Sequence, residues 1–121
     1  MIFGLLLHLT VWFDGVPLDC LIDTGSPYTI LSQGTAARLG TMVPVSGETV
    51  EFRGIGGATT LGHFYQVSNV GTDDIGWPVA FPVVVPNGAM VGMSCLVGTD
   101  LLGQQPLLID IQRQVLRAAF P

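Results

Sequence analysis

The stretch Cys20-Leu21-Ile22-Asp23-Thr24-Gly25-Ser26 places an acidic triplet directly after an apolar run. A second apolar-rich stretch, Tyr28-Thr29-Ile30-Leu31, follows, so Asp23 is predicted to stand at the end of a buried strand. A carboxylate in such surroundings is costly to ionise unless a partner compensates, and it is therefore either catalytic or tightly hydrogen-bonded. The chain contains one such triplet, so a mechanism based on paired carboxylates requires a second chain to supply the partner.

The residues around the triplet have the spacing of short strands and turns. Leu5 to Phe13 alternates with period two, Asp14-Gly15 is a hairpin turn signal, and Val16 to Ile22 forms the returning strand. Ser32 to Gly40 has an N-cap residue type and a terminal glycine, which predicts a helix of one or two turns. The triplet is thus predicted to lie in the loop between a hairpin and a short helix.

The second half of the chain continues this pattern. Thr49 to Phe52 and Thr59 to Val67 flank a glycine-rich segment and predict a mobile hairpin. Three prolines exclude a helix through residues 77–86 and leave strand pieces or an edge strand there. The last predicted elements are a strand at Ser94 to Val97, a short helix at Thr99 to Gly103, and strands at Leu107 to Ile111 and Val115 to Ala118.

Composition indicates a folded chain with one covered surface. Its 121 residues fit a single domain, residues 1–121, and 49% of them are hydrophobic. Only 11% are charged, against roughly 25% in an average soluble domain. Because large exposed apolar patches are rare on monomers, this composition favours a homodimer.

Charge and apolar runs exclude several classes of function. The net charge of −5, with four arginines and no lysine, excludes a nucleic-acid phosphate surface. No run approaches the roughly 18 apolar residues of a membrane span, and Ile2 to Leu7 lacks the basic region of a signal peptide. The compartment is left open, with the cytoplasm favoured.

His8 and His63 have no ligand partners at metal-binding spacing, so neither a metal nor a cofactor is expected. Cys20 and Cys95 are interpreted as buried thiols.

Three motifs in this order resemble those of retropepsin-type aspartic proteases: Leu21 to Ser26, Gly54 to Gly57, and Leu96 to Leu102. The likeness covers nearly the whole chain. The closing hairpin, with Ile109-Asp110 and Val115-Leu116, is more similar to cellular and bacterial members, including the protease-like domain of DNA-damage-inducible shuttle proteins. The resemblance implies an all-β, small closed barrel-like retropepsin fold with one or two short helices, forming half of a two-fold symmetric aspartic protease.

The resemblance also implies an aspartic endopeptidase that acts on a polypeptide substrate. Two copies of Asp23, one from each subunit of a homodimer, would meet across the two-fold axis. At about 3 Å and an effective dielectric constant near 20 they repel by roughly 5 kcal/mol, so the pair holds one shared proton, an effect for which aspartic proteases are the standard example. Thr24 would brace the pair through its hydroxyl, Gly25 would admit the substrate backbone, and Ser26 would lie beside the pair. The implied substrate-binding residues are Gly54, Ile55, Gly56 and Gly57 in a flap, with Ile30 and Val84 lining a pocket.

Two positions depart from the viral pattern. Viral members have an Asp two residues after the triplet and an Arg after the later glycine, and here these places hold Pro27 and Thr99. The termini and the hairpin from Leu107 to Ala118 are therefore the predicted replacements for dimer contacts. The alternative function is a catalytically inert retropepsin-like dimerisation or peptide-binding module. A third hypothesis is that the chain is a fragment of a larger protein, with this domain as its self-processing unit.

Overall fold

Strands dominate the computed structural model, which describes residues 7–53, 59–77, 81–88, 94–110 and 112–119, without the side chains of Ser46 and Arg53. The strands are β1 (Leu7–Phe13), β2 (Val16–Ile22), β3 (Ile30–Leu31), β4 (Val43–Arg53), β5 (Thr59–Val67), β6 (Val70–Gly71), β7 (Gly76–Trp77), β8 (Phe81–Pro86), β9 (Cys95–Val97), β10 (Leu107–Asp110) and β11 (Val115–Ala118). Two short helices, α1 (Gln33–Leu39) and α2 (Thr99–Leu102), complete the described elements. The predicted all-β fold class with one or two short helices is confirmed.

One curled sheet carries most of these strands. Its order within the described residues is β4-β5-β8-β3-β9-β2-β1-β6-β7, and β10 and β11 form a separate pair. The strand expected around the prolines is confirmed as β8, but the alternative of an edge strand is wrong, because β8 lies inside the sheet between β5 and β3. Proline carries no N–H to pair, but the three valines between Pro82 and Pro86 keep theirs, and Val84 N donates to Thr29 O at 2.9 Å.

The first hairpin forms as its sequence predicts. β1 and β2 pair in register from Leu7 opposite Ile22 to Phe13 opposite Val16. Asp14 and Gly15 have φ angles of 49° and 83°, the left-handed values that a tight two-residue turn requires. Alternate residues of β1, including Val11 and Phe13, are buried in the main core, so the period-two pattern has its expected physical cause.

Helix α1 begins and ends at the predicted signals. Ser32 is the N-cap, and its Oγ accepts from Thr35 N at 3.2 Å. Gly40 ends the helix with a φ of 67°, a conformation that favours glycine. Helix α2 also forms where it is predicted, with Gly98 as its N-cap. Neither of these helices is long and apolar enough to cross a membrane.

A disulfide joins Cys20 to Cys95, so the interpretation of two buried thiols is wrong. Parallel pairing of β2 with β9 sets Leu21 beside Leu96, and one residue earlier the two cysteines are neighbours with Cα atoms 4.6 Å apart. Both cysteines are fully buried. The sequence separation of 75 residues gives no local signal of this pairing.

Candidate active site

Asp23 lies where the parallel pair of strands β2 and β9 ends. Its backbone N–H donates to Val97 O at 2.9 Å, which extends the pairing of Ile22 with Val97 by one step. Ile22 packs in the main core, so strand alternation returns the Asp23 side chain to the opposite face of the sheet, where it is half-buried. The sheet therefore presents this carboxylate at a strand end on the face away from the main core.

The loop after Asp23 folds back onto the carboxylate. Gly25 N donates to Asp23 Oδ1 at 2.8 Å, and a Cβ at Gly25 would lie only 3.1 Å from the same oxygen. Ser26 N donates to Asp23 O at 3.2 Å, while Ser26 Oγ donates to Tyr28 O at 2.8 Å. Thr24 is exposed. Asp23, predicted as the catalytic residue, and the three residues predicted to support it thus form one turn.

The motif at Gly98 supports this loop from beneath. A Cβ at Gly98 would lie 2.6 Å from Ser26 O and still closer to Tyr28 O, so only glycine allows the two segments to approach. Thr99 donates to Ser26 O from its backbone N at 2.8 Å and from Oγ1 at 3.2 Å. The position where viral relatives carry an arginine is therefore used here for hydrogen bonds within the chain.

Asp100 makes the strongest set of contacts to the loop, and the sequence gives no sign of it. Its carboxylate accepts from Thr29 N at 2.9 Å, from Thr29 Oγ1 at 2.7 Å and from Leu101 N at 2.8 Å. Thr29 is fully buried, and its Oγ1 also accepts from Gly98 N at 3.2 Å. Its main contact is therefore a long-range link between the segment after Asp23 and α2.

The two predicted pocket residues are neighbours in the sheet. Ile30 pairs with Val84 on one side and with Leu96 on the other, and cross-strand partners have their side chains on one face. Val84 and Leu96 are buried without belonging to the main core. Ile30 is half-buried, whereas Val84 has no exposed surface. This second apolar surface lies on the same side of the sheet as the Asp23 side chain.

The predicted flap residues Gly54, Ile55, Gly56 and Gly57 lie outside the described residues. The strands on either side are described, and β4 and β5 pair up to Arg53 opposite Thr59. β4 starts at Val43, earlier than the predicted Thr49, and its register shifts between Pro44 and Thr49. The predicted strands of the hairpin are therefore confirmed, and its tip stays a prediction.

Comparison with known proteins agrees with this geometry. The family described as "gag-polyprotein putative aspartyl protease" matches residues 9–104, which include the Asp23 loop and the Gly98 motif. The chain belongs to this family. Its retropepsin-like character, expected from the motifs, is thereby confirmed.

Curated relatives include the DNA damage-inducible protein 1 of Candida glabrata, 28% identical over 116 residues, and that of Saccharomyces cerevisiae, 26% identical over 116 residues. Each match covers 94% of this chain but 26% of the relative, so the chain spans about a quarter of the length of those proteins.

Solved structures share the fold. The retroviral protease-like domain of Ddi1 from Leishmania major superposes with a TM-score of 0.65 at 21% identity, covering 98% of this chain and 91% of that one. A retropepsin-like aspartic protease from Rickettsia conorii gives 0.62 at 17% identity, with 87% and 75% covered. The EIAV protease, in complex with the inhibitor HBY-793, gives 0.64 at 18% identity, with 85% and 90% covered. At these identities the likeness concerns the fold.

Proposed function

We propose that this chain is an aspartic endopeptidase that hydrolyses peptide bonds as a homodimer, with residues 1–121 acting as one domain. The observation that carries the proposal is the Asp23 turn. In this turn Gly25 N donates to Asp23 Oδ1, and the Asp23 side chain lies on the face of the sheet away from the main core. Membership of the aspartyl protease family supports the same conclusion.

The proposed chemistry uses the two Asp23 carboxylates of the dimer with one shared proton. The ionised carboxylate removes a proton from a water molecule, and the resulting hydroxide oxygen bonds to the carbonyl carbon of the substrate. The protonated carboxyl donates to the carbonyl oxygen as negative charge develops there. When the C–N bond breaks, the pair returns a proton to the departing amine. The proposed supporting roles are a brace across the axis for Thr24, access for the substrate backbone at Gly25, a place beside the pair for Ser26, and substrate cover for residues 54–57.

The proposed dimer contact includes the hairpin of β10 and β11. This pair stands outside the main sheet, and Leu116 of β11 packs in the main core. Leu108 and Ile109 on β10 are 58% and 37% exposed. A second copy of the chain covering these apolar side chains would stabilise the hairpin and bring the second Asp23 to the site.

The test is cleavage of an unbiased peptide library across about pH 4 to 7, the range in which a shared-proton pair is expected to act. Asp23→Asn tests the carboxylate, and Asp19→Asn is the matched control because its side chain, on the strand that precedes Asp23, is 80% exposed. We expect cleavage by the wild type and by Asp19→Asn, and none by Asp23→Asn. A dimer, verified by sedimentation, that leaves every peptide intact would contradict the proposal and favour a peptide-binding module.

A further inference from the structure

Three aromatic rings form a cluster beside the candidate active site. Tyr28, five residues after Asp23, meets Phe52 edge-on at 6.4 Å between ring centroids and Phe64 at 6.0 Å, with interplanar angles of 88° and 69°. These are the favoured edge-to-face arrangements of aromatic pairs. The rings come from the Asp23 loop, from β4 and from β5, and all three are half-buried. The cluster therefore joins the hairpin strands to the loop that carries the carboxylate.

The cluster covers Val84. A Cβ at Gly62 would lie 2.5 Å from Val84 Cγ1 and 2.6 Å from Phe52 Cε2, so the Val84 methyl and the Phe52 ring meet over a glycine that leaves room for both. Phe64 is the direct cross-strand partner of Val84. Val84 has no exposed surface although it lies outside the main core. The Phe52 ring thus fills space that would otherwise open down to Val84.

A row of cross-strand neighbours on one face of the sheet leads from this cluster toward Asp23, and each of its side chains is apolar. Successive cross-strand partners are Phe64, Val84, Ile30, Leu96 and Leu21. Leu21 lies in β2 two residues before Asp23, which directly follows that strand, so the row ends next to the candidate carboxylate. A charged substrate side chain placed on this row would lose its hydration without gaining a partner, whereas an apolar side chain would gain by burial.

We propose that Tyr28, Phe52 and Phe64 are specificity-determining residues that limit the substrate side chain on this row to a compact aliphatic one, such as valine. The inference rests on the proposed peptidase function and names the substrate class of that same site. Half-buried Ile30 is the open floor on which the side chain lies, and the rings close the space beyond it. Removing the Phe52 ring would extend the pocket down to Val84, and the variant would then accept a phenylalanine or tyrosine side chain.

The experiment compares the wild type with Phe52→Ala, and with Phe52→Leu as a smaller change for the case in which the alanine variant does not fold. Each protein cleaves a peptide library, and kcat/KM is then measured for peptide pairs that differ only by valine or phenylalanine at the selected position. We expect the phenylalanine-to-valine ratio of kcat/KM to rise at least about tenfold in Phe52→Ala, since pocket changes of this size discriminate on that scale. Leu61→Ala, on the opposite face of β5 and 46% exposed, is the matched control and should leave the ratio unchanged.

A binding measurement separates this inference from the proposed function. Asp23→Asn, alone and combined with Phe52→Ala, is used to retain peptides from the same library without cutting them. Selection of valine by the first protein and of phenylalanine by the second supports the aromatic limit even if the wild type cleaves nothing, and only the peptidase proposal then fails. Equal selectivity of the two proteins, or retention of no peptide by either, would overturn the inference.

Discussion

Breaking the disulfide between Cys20 and Cys95 should cost this chain a large part of its stability. The bond closes a loop of 75 residues, and the chain-entropy relation gives about 15 cal/mol/K less entropy for the cross-linked unfolded chain. At 25 °C this corresponds to about 4.5 kcal/mol. Native domains are stable by only about 5 to 15 kcal/mol, so the reduced protein is expected to be marginal.

The assay is urea unfolding of oxidised and reduced wild type at one protein concentration, because dimerisation makes the apparent stability depend on concentration. The protein is reduced in denaturant and refolded in the presence of reductant, since both cysteines are fully buried in the folded state. With a slope of roughly 1 to 3 kcal/mol per molar urea, the midpoint should fall by roughly 1.5 to 4.5 M.

The double variant Cys20→Ala with Cys95→Ala is the control. It has no loop to open, so reductant should leave its unfolding curve unchanged. The reasoning is refuted if oxidised and reduced wild type differ by less than about 1 kcal/mol, because the entropy of a loop this long is several times larger. Two reactive thiols in the unfolded, unreduced protein would refute the bond itself.

Two further predictions concern hydrogen bonds. Asp100→Ala leaves the buried Thr29 N–H without its carboxylate partner, so we expect the free energy of unfolding to fall by about 3 kcal/mol and kcat/KM to be reduced. Asp100→Asn keeps an acceptor and should retain more of both the stability and kcat/KM. Equal effects of the two variants would contradict this interpretation. Ser32→Ala removes the α1 cap and should lower the free energy of unfolding by about 1 kcal/mol with cleavage unchanged, while Ser32→Asp should preserve stability. Urea unfolding checks both variants. An unchanged urea midpoint for Ser32→Ala would contradict the role of Ser32 as a cap.

Local signals predicted a large part of the fold. The turn at Asp14-Gly15, the caps of α1 at Ser32 and Gly40, and the β5 bounds all lie where the sequence indicates. Each depends on neighbouring residues, whose conformational preferences act within a few positions. The triplet at Asp23 was recognisable for the same reason, since its turn is formed by the residues that follow it.

Long-range pairing accounts for what the sequence did not indicate. β8 was expected as strand pieces or an edge because of its prolines, yet its position between β5 and β3 depends on strands elsewhere in the chain. The Asp100 link to Thr29 spans 71 positions, and the aromatic cluster joins residues from three separate segments. No local pattern marks these residues as neighbours.

The sequence by itself determined the all-β fold class, the first hairpin, the first helix and the identity of the candidate carboxylate, because local backbone preferences and apolar periodicity specify them. Tertiary structure alone decided that Cys20 meets Cys95, that Asp100 holds the loop after Asp23, and that aromatic rings cover Val84. The physical reason is the parallel and antiparallel register of a sheet whose neighbouring strands are distant in sequence, since that register is set by packing of the whole sheet.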